Sequence, residues 1–509
     1  MKIKNGLRYL LVLFMLFTTN SIAAPWIEIN DLSLRNDIQL LADSGLITVP
    51  VTTYPLMWQA IMPEVTAAKV ETLPPSQVSA LLRIQKEFQQ ATGSISRNSI
   101  RLYAATTARR FTSYGQNDYD EGSIELSHEY QGESLSGKLQ VNYRAGLDHN
   151  NGINQGNDYN IDGSYLSYQL GNWILTGGAI DRWWGPSIDS NLILSDNARP
   201  LPSVNLSRVQ STAFETPWLS WLGTWTANAQ MAKLESDRYI PDALLWSARG
   251  AIRPLRGLEL GASWSFQWAG EGQPSSIKDF FKILFGGLEC ANGDATCDPE
   301  LNTYQGNHLA GYDIRWSDTL FEVPYALYTQ VIGEDGSPNA GLITDKASLY
   351  GVELRFHLFK QNILANFEYS DTQVNCGGDE DTSLNCFYEH GDYLLGYRYY
   401  RRAIGSTYDN DAETFVMTFL GQLTNGNNWQ VKIRKAKLNT NGNDRFTDDP
   451  NMGNTVSKVA ENILQVDNQY NFTWYNAEFT TGLVVTNSET QLNEDETDID
   501  GYVKWQYIF

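Results

Sequence analysis

Gly501-Tyr502-Val503-Lys504-Trp505-Gln506-Tyr507-Ile508-Phe509 closes the 509-residue chain. Side chains of an extended strand alternate faces, so Val503, Trp505, Tyr507 and Phe509 share one side. A soluble sheet rarely finishes on an apolar strand with nothing beyond it to cover the edge. Bacterial outer-membrane barrels typically end this way, with a last strand that closes the sheet and an aromatic carboxy terminus. The plainer alternative is an ordinary sheet strand that happens to end the protein. The stretch predicts an all-β fold, a transmembrane antiparallel β-barrel.

The amino terminus agrees with export. Lys2, Lys4 and Arg8 precede an apolar run, Tyr9 to Phe17, that is too short to span a bilayer. Ser21-Ile22-Ala23 is a small-x-small cleavage site, so residues 1–23 are expected to be a signal peptide. No later run of some 18 apolar residues offers a membrane helix. Formal charge is −22, and the leader carries three cations and no acid. Nucleic acid, which needs a basic footprint, is excluded as a partner. An acidic ligand would need a local basic cluster. The 15 Trp, 27 Tyr and 20 Phe suit either the interfacial girdles of a barrel or stacking platforms for sugars. The four cysteines fall as Cys290/Cys297 and Cys376/Cys386, each pair flanking a polar loop; in an exported chain local disulfides are the simplest of three connectivities.

Residues 24–98 read as helical. Asn30 or Asp31 can cap a helix carrying Leu34, Ile38 and Leu41, with Gly45 at its end. Tyr54-Pro55 starts a short helix ended by Pro63, and Pro74-Pro75-Ser76 opens a longer one with Gly93 after it. These amphipathic helices are expected to form a small bundle at the periplasmic mouth of a barrel. From about residue 99 to 509 the period becomes two. Leu258, Leu260, Ala262, Trp264, Phe266 and Trp268 alternate with Glu259, Gly261, Ser263, Ser265 and Gln267; Ile124, Leu126, His128 and Tyr130 alternate with Glu125, Ser127, Glu129 and Gln131. Segments of about ten residues, apolar outward and polar inward, are the barrel signature. About nineteen candidate strands emerge, and an even number is required. Parities counted from the two ends collide between Asp371 and Asp411. One strand there, or a weak one near Leu206 to Phe214, is therefore spurious, which gives about 18. Tight turns such as Leu170-Gly171-Asn172 belong on the periplasmic side. The long polar loops, near Gly270 to Asn307, Gly333 to Lys346 and Asn439 to Lys458, belong outside.

The densest functional cluster is Asp181 to Pro200. Trp183 and Trp184 offer stacking faces for sugar rings; Asp189, Asn191 and Asn197 can meet hydroxyls; Arg182 and Arg199 can pair with uronate carboxylates, with Asp181 beside them. The competing reading is a constriction loop folded into the lumen and held by its own Asp–Arg pairs. A second candidate is Arg398, Arg401 and Arg402 with Tyr397, Tyr399 and Tyr400, where three cations and aromatics could hold an acidic glycan. If that segment is a strand, Tyr399 is a girdle residue.

Arg182-Trp183-Trp184-Gly185-Pro186, Asn191-Leu192-Ile193-Leu194-Ser195 and Asn197-Ala198-Arg199-Pro200 resemble the capsule-assembly Wzi family of outer-membrane proteins. Asn30-Asp31-Leu32-Ser33-Leu34-Arg35-Asn36-Asp37 and Arg402-Ala403-Ile404-Gly405-Ser406, with Tyr408-Asp409-Asn410-Asp411, extend the resemblance over most of the mature chain. It implies an integral outer-membrane barrel of about 18 strands with a small helical bundle on the periplasmic side. It implies binding and anchoring of capsular or exopolysaccharide at the cell surface, without catalysis and without a cofactor. The partners it implies are the polysaccharide, outer-membrane lipid, the barrel-assembly machinery and the capsule export machinery. The contacting loops are not carried over, because family binding is associated with external loops that vary, and the 270–307 loop has no counterpart.

The main alternative is a substrate-specific outer-membrane porin for oligosaccharides, since a barrel of this size is open unless something fills it. A hydrolase is disfavoured: no Gly-x-Ser-x-Gly elbow occurs, and the five histidines sit in strand-like or isolated contexts. No metal site is expected. Asp379, Glu380 and Asp381, or Asp409, Asp411 and Glu413, read as solvated acidic loops before they read as calcium ligands.

Overall fold

A computed structural model describes residues 25–147, 156–285, 306–336, 343–374, 385–442, 444, 452–490 and 495–509. The leader, Cys290, Cys297, Cys376 and the Asp379–Asp381 acids lie outside these residues. Cys386 is buried beside Val374, and the two local disulfides stay expectations.

Three helices come first. α1 (Leu32–Asp43) is capped by Asp31, whose carboxylate accepts from the Ser33 amide at 2.7 Å. α2 spans Trp58–Ala67 with Pro63 inside it, so Pro63 does not end this helix. Pro63 forfeits a single hydrogen bond there, and the burial of Ile61, Met62 and Val65 around it outweighs that loss. α3 (Pro75–Thr92) starts on its proline and is followed by Gly93, as expected.

The strands that follow close into a barrel of 18 antiparallel strands. They are β1 (Ser96–Ala105), β2 (Gly122–Gln131), β3 (Leu135–Leu147), β4 (Gly156–Asn160, resuming at Tyr165–Leu170), β5 (Trp173–Ala179), β6 (Pro202–Arg208), β7 (Thr224–Lys233), β8 (Leu244–Leu255) and β9 (Leu258–Trp268). The second half holds β10 (Asn307–Leu320), β11 (Val323–Gly336), β12 (Ile343–Leu358), β13 (Gln361–Asp371), β14 (Glu413–Gln422), β15 (Asn428–Leu438), β16 (Glu461–Trp474), β17 (Ala477–Thr490) and β18 (Glu496–Ile508). The carboxy-terminal stretch pairs with β1, Trp505 opposite Leu102 and Tyr507 opposite Ile100, and Phe509 exchanges both backbone bonds with Asn98 at 2.9 Å. The final strand thus closes the sheet and removes both edges.

Alternation sets the two faces. Ile124 and Leu126 are exposed on the outer wall, while Ser123, Glu125 and Glu129 of the same strand are buried inside. The inner wall is a lattice of ion pairs, among them Arg101–Glu125 at 2.7 Å, Arg249–Asp313 and Arg315–Glu353 at 2.7 Å. An apolar outside over a polar inside is what a membrane-spanning barrel requires.

The parity conflict resolves cleanly. The weak strand expected near Leu206 to Phe214 lies earlier, at Pro202–Arg208, and is part of the wall, whereas no wall strand lies among the described residues between Asp371 and Asp411. The loop expected over Gly333 to Lys346 is shorter, because β11 runs to Gly336 and β12 starts at Ile343. The 270–307 loop contains one further helix, α4 (Ile277–Leu284). A reciprocal Ser276–Asp279 capping box starts it, and Phe280 packs on the outer-wall rings of Trp246, Phe266 and Trp268.

Candidate functional site

The lumen is filled by the chain itself. Three connections turn inward: residues 106–121 between β1 and β2, residues 180–201 between β5 and β6, and residues 385–412 ahead of β14. They bond to one another through the Tyr114 amide and the Ile188 carbonyl (3.1 Å), the Ser195 amide and the Ile404 carbonyl (3.0 Å), and the Thr112 amide and the Thr407 hydroxyl (2.9 Å). Gly405 is needed where two of them cross, since a Cβ there would lie 2.5 Å from the Leu192 carbonyl oxygen.

Wall side chains hold the plug. The Glu368 carboxylate of β13 accepts from the Ile188 and Asp189 amides at 2.7 and 2.8 Å. Gln330 of β11 accepts from the Leu192 amide at 2.8 Å and donates to the Trp184 carbonyl at 3.0 Å. From the periplasmic side residues 49–54 enter the barrel. Trp183 and Trp184 pair as a two-residue ladder with Tyr54 and Thr53, and Arg35 of α1 donates to the Pro186 carbonyl at 2.9 Å. At the mouth, Asp43 of α1 pairs with Arg355 at 2.7 Å and with Arg315, and burial is outweighed by these two guanidinium groups, which hold its carboxyl at about 2.

Each residue singled out from the sequence has a definite place in this plug. Trp183 and Trp184 are 1% exposed. The Trp183 indole donates to the Ser187 carbonyl at 2.9 Å and meets the Tyr114 ring edge-on at 5.5 Å. Trp184 belongs to the buried cluster that also holds Leu192, Leu194, Tyr328 and Tyr388. Asp189 sits between Lys432 (3.1 Å) and Arg434 (3.0 Å) and accepts from the Tyr408 hydroxyl; the surrounding charges outweigh burial and keep it below the usual carboxylate range. Asn191 accepts from Gln330 at 3.0 Å. Asn197 donates to the Ala403 carbonyl at 2.8 Å and accepts from Arg402 at 2.8 Å.

Arg182 is buried and its neighbour Asp181 half-buried, each against different partners. Asp181 accepts from Asn117 at 2.8 Å, and burial with Asp162 nearby pushes its carboxyl up to about 7. Arg182 donates to the Ile180 carbonyl at 2.9 Å, and burial lowers its guanidinium to about 10. Arg199 pairs with Asp162 at 2.8 Å and Asp158 at 3.1 Å. Arg398 and Arg402 are buried, while Arg401 is half-buried at the tip of a small hairpin, Arg398–Tyr399 against Arg402–Ala403, in the left-handed region (φ 62°). The segment is a hairpin of its own and not a wall strand. Tyr399 therefore lies buried in the plug and is not a girdle residue.

The structure thus brings Asp189 and Asn197 together with Tyr408 and with Thr112, Lys432 and Arg434, which the sequence did not flag, and sets Tyr114 against Trp183. The aromatic residues Phe111, Tyr114 and Tyr119 in the connection over 106–121 were the available signal. Asp409 is committed to Arg398, and among the described residues no cluster of histidine, cysteine or carboxylate side chains could hold a metal ion. The plug is thus a scaffold of bonded polar groups and packed aromatic and aliphatic side chains.

A family model described as capsule assembly protein Wzi matches residues 91–499. An uncharacterized 55.8 kDa protein in the cps region of Klebsiella pneumoniae is 29% identical over 357 residues, which are 69% of this chain and 66% of that relative, just under two thirds of its length. Among solved structures, Wzi of Escherichia coli, described as an outer membrane protein involved in group 1 capsule assembly and a carbohydrate-binding β-barrel, superposes with a TM-score of 0.78. It is 24% identical, over 94% of this chain and 98% of that one. Pseudomonas aeruginosa OprD is 9% identical with a TM-score of 0.44, over 81% of this chain and 94% of that one, too distant to bear on function.

Proposed function

The chain belongs to the capsule-assembly Wzi family, an outer-membrane β-barrel, and from that premise we propose that it binds capsular or exopolysaccharide at the cell surface and anchors it there during capsule assembly, without catalysis. The observation that carries this reading over a sugar-conducting porin is the filled lumen. Trp183, Asp189 and Arg398 are buried inside the barrel, each bonded to neighbouring groups. A barrel that does not conduct leaves its outer loops as the surface that meets polymer. Long polymers engage such loops through repeated weak contacts, so effective concentration along the chain supplies retention that no single pocket provides. The buried plug residues serve this function as the frame on which the loops stand, and delivery from the export machinery falls to the periplasmic helices.

The test pairs two measurements on the purified mature protein. Capsular polysaccharide immobilised on a sensor should retain it, and planar bilayers containing it should show almost no conductance. Steady single-channel conductance that added oligosaccharide blocks, without polymer retention, would overturn the reading in favour of the porin.

A further inference from the structure

The barrel wall has a notch. β4 breaks at residues 161–164. Its lower half, Tyr165–Leu170, pairs with β3 and β5, but its upper half, Gly156–Asn160, pairs with β3 alone among the described strands. The reason lies next door: β5 stops at Ala179 and β6 starts at Pro202, because the chain between them has gone into the lumen as plug. Above Ala179 no strand flanks the outer edge of Gly156–Asn160 in the described structure. The six residues from Leu170 to Tyr165, at a typical barrel tilt, put the break roughly 15–20 Å above the periplasmic turn. That is the outer half of an apolar band about 25 Å tall.

A groove of about 1270 Å³ opens at this notch, and its lining has two halves. Leu139, Ile161 and Leu166 form the lower part. They face outward and are exposed, in line with the lipid-facing wall residues Leu175 and Val204. The upper part joins Asp158 of the unflanked half of β4 to the side of the plug seen through the gap, Arg199 and Tyr400, with Asp237 at the rim. Arg199 is already neutralised by Asp158 and Asp162 and lies 4.6 Å above the Tyr400 ring. Lys138, lower in the groove, is paired with Glu28 at 2.9 Å. Charge balance at the polar end is therefore acidic, which disfavours a phosphate or carboxylate head. Carboxylates that accept hydroxyl protons beside an aromatic face suit an uncharged sugar.

We propose that this notch is a lateral binding site for a sugar-headed lipid of the outer leaflet, with its chain on Leu139, Ile161 and Leu166 and its head against Asp158 and Tyr400. The site is distinct from polymer capture at the outer loops and does not depend on it. The occupant follows from the groove's continuity with the wall that faces lipid and from the acidic, aromatic polar end.

The full mature protein in nanodiscs should be photolabelled with dodecyl maltoside carrying a diazirine in its chain, and in parallel with a phosphocholine of the same chain. Labelled peptides are then mapped by mass spectrometry. The maltoside probe is expected to label the peptides holding Leu139 and Ile161 about fivefold above the phosphocholine probe. A Cβ at Gly177, which lines the groove, meets no atom within 4 Å, so Gly177→Trp fills the notch without disturbing the sheet. It should abolish that excess while labelling at Tyr350 on β12 is unchanged. Ile161→Trp, at an exposed outward position, is the second variant should the first not show the heat-modifiable gel mobility of a folded barrel. Equal labelling by the two head groups, even labelling around the wall, or insensitivity of the excess to a folded notch-filling variant overturns the proposal.

Discussion

Arg398 grips Asp409 at two points inside the barrel, Nε to Oδ2 at 2.8 Å and Nη2 to Oδ1 at 2.6 Å, and reaches Glu389 at 2.6 Å with the same guanidinium. All three groups are essentially inaccessible to solvent. Such a triad gives little net stability over an apolar replacement, but removal of one member strands the others as buried unpaired charge. Arg398→Ala is therefore expected to cost about 3–5 kcal/mol in the stability of the plug. Hydrogen exchange should speed up across residues 385–412 while the wall strands stay protected, and bilayers should show intermittent conductance. Unchanged exchange in that segment would mean the triad is not what holds the plug.

At the opposite end Asp43 ties α1 to β10 and β12 through Arg315 and Arg355. Its carboxyl lies at about 2, below the unfolded value near 3.9. A depressed carboxyl contributes stability that is present above the unfolded value and is lost as pH falls through the folded one. The helices should stay docked at pH 5 and loosen between about pH 4 and 2. Asp43→Asn should loosen them already at pH 7 by about 1–3 kcal/mol, because Arg315 and Arg355 keep Glu353 as a remaining partner. Limited proteolysis within residues 25–92 over a pH series is the measurement. A mutant and wild type that differ equally at pH 2.5 and pH 7 would contradict it.

The wall was legible because burial of one face forces period two, and the closing strand was legible from four aromatic and branched residues on one side. What lay inside was not. The Arg398–Ala403 hairpin carries aromatics and cations that would also suit a barrel wall, but it lies inside the lumen with Arg398, Tyr399, Arg402 and Ala403 buried, so residue types alone cannot place it. Hairpin turns were hidden for a different reason. Phe321-Glu322, Phe359-Lys360 and Tyr475-Asn476 all hold positive φ at both central positions. That geometry normally shows as Asn-Gly or Asp-Gly, whereas here bulky rings occupy it at the barrel rim. The break in β4 did leave a mark, Asp162-Gly163, a turn dipeptide inside an otherwise strand-like run. The indole pair stood out by composition, yet stacking residues and core residues are the same residues until burial is known.

Asp181 makes the opposite pH prediction to Asp43. Burial, with Asp162 close by, raises its carboxyl to about 7. The folded protein therefore holds a proton that the unfolded chain releases near pH 3.9, and stability falls as pH rises from about 4 to 7. Asp181→Asn keeps an oxygen for the Asn117 amide and removes the titration. The variant should match wild type at pH 4 and exceed it by up to roughly 2–4 kcal/mol at pH 8, seen as a higher midpoint of heat-modifiable unfolding. An Asn variant less stable than wild type at pH 8 would show that the charged form is used, with Arg182 as its counter-ion.

Trp184 decides whether the indole pair is frame or ligand platform. It is 1% exposed, in the buried cluster that holds Leu192, Leu194, Tyr328 and Tyr388, so no sugar reaches its face while the plug is closed. Trp184→Ala should cost about 3–5 kcal/mol through the cavity it leaves, and Trp184→Phe less, since a ring still fills most of the space. If the frame reading holds, the polymer bound per folded molecule is the same for wild type and Trp184→Phe, because the loops above are undisturbed. Retention on immobilised capsular polysaccharide, normalised to the heat-modifiable fraction, measures this directly. A Phe variant that melts with wild type but retains several-fold less polymer would put the indoles back in the binding site, and would require the plug to open when polymer binds.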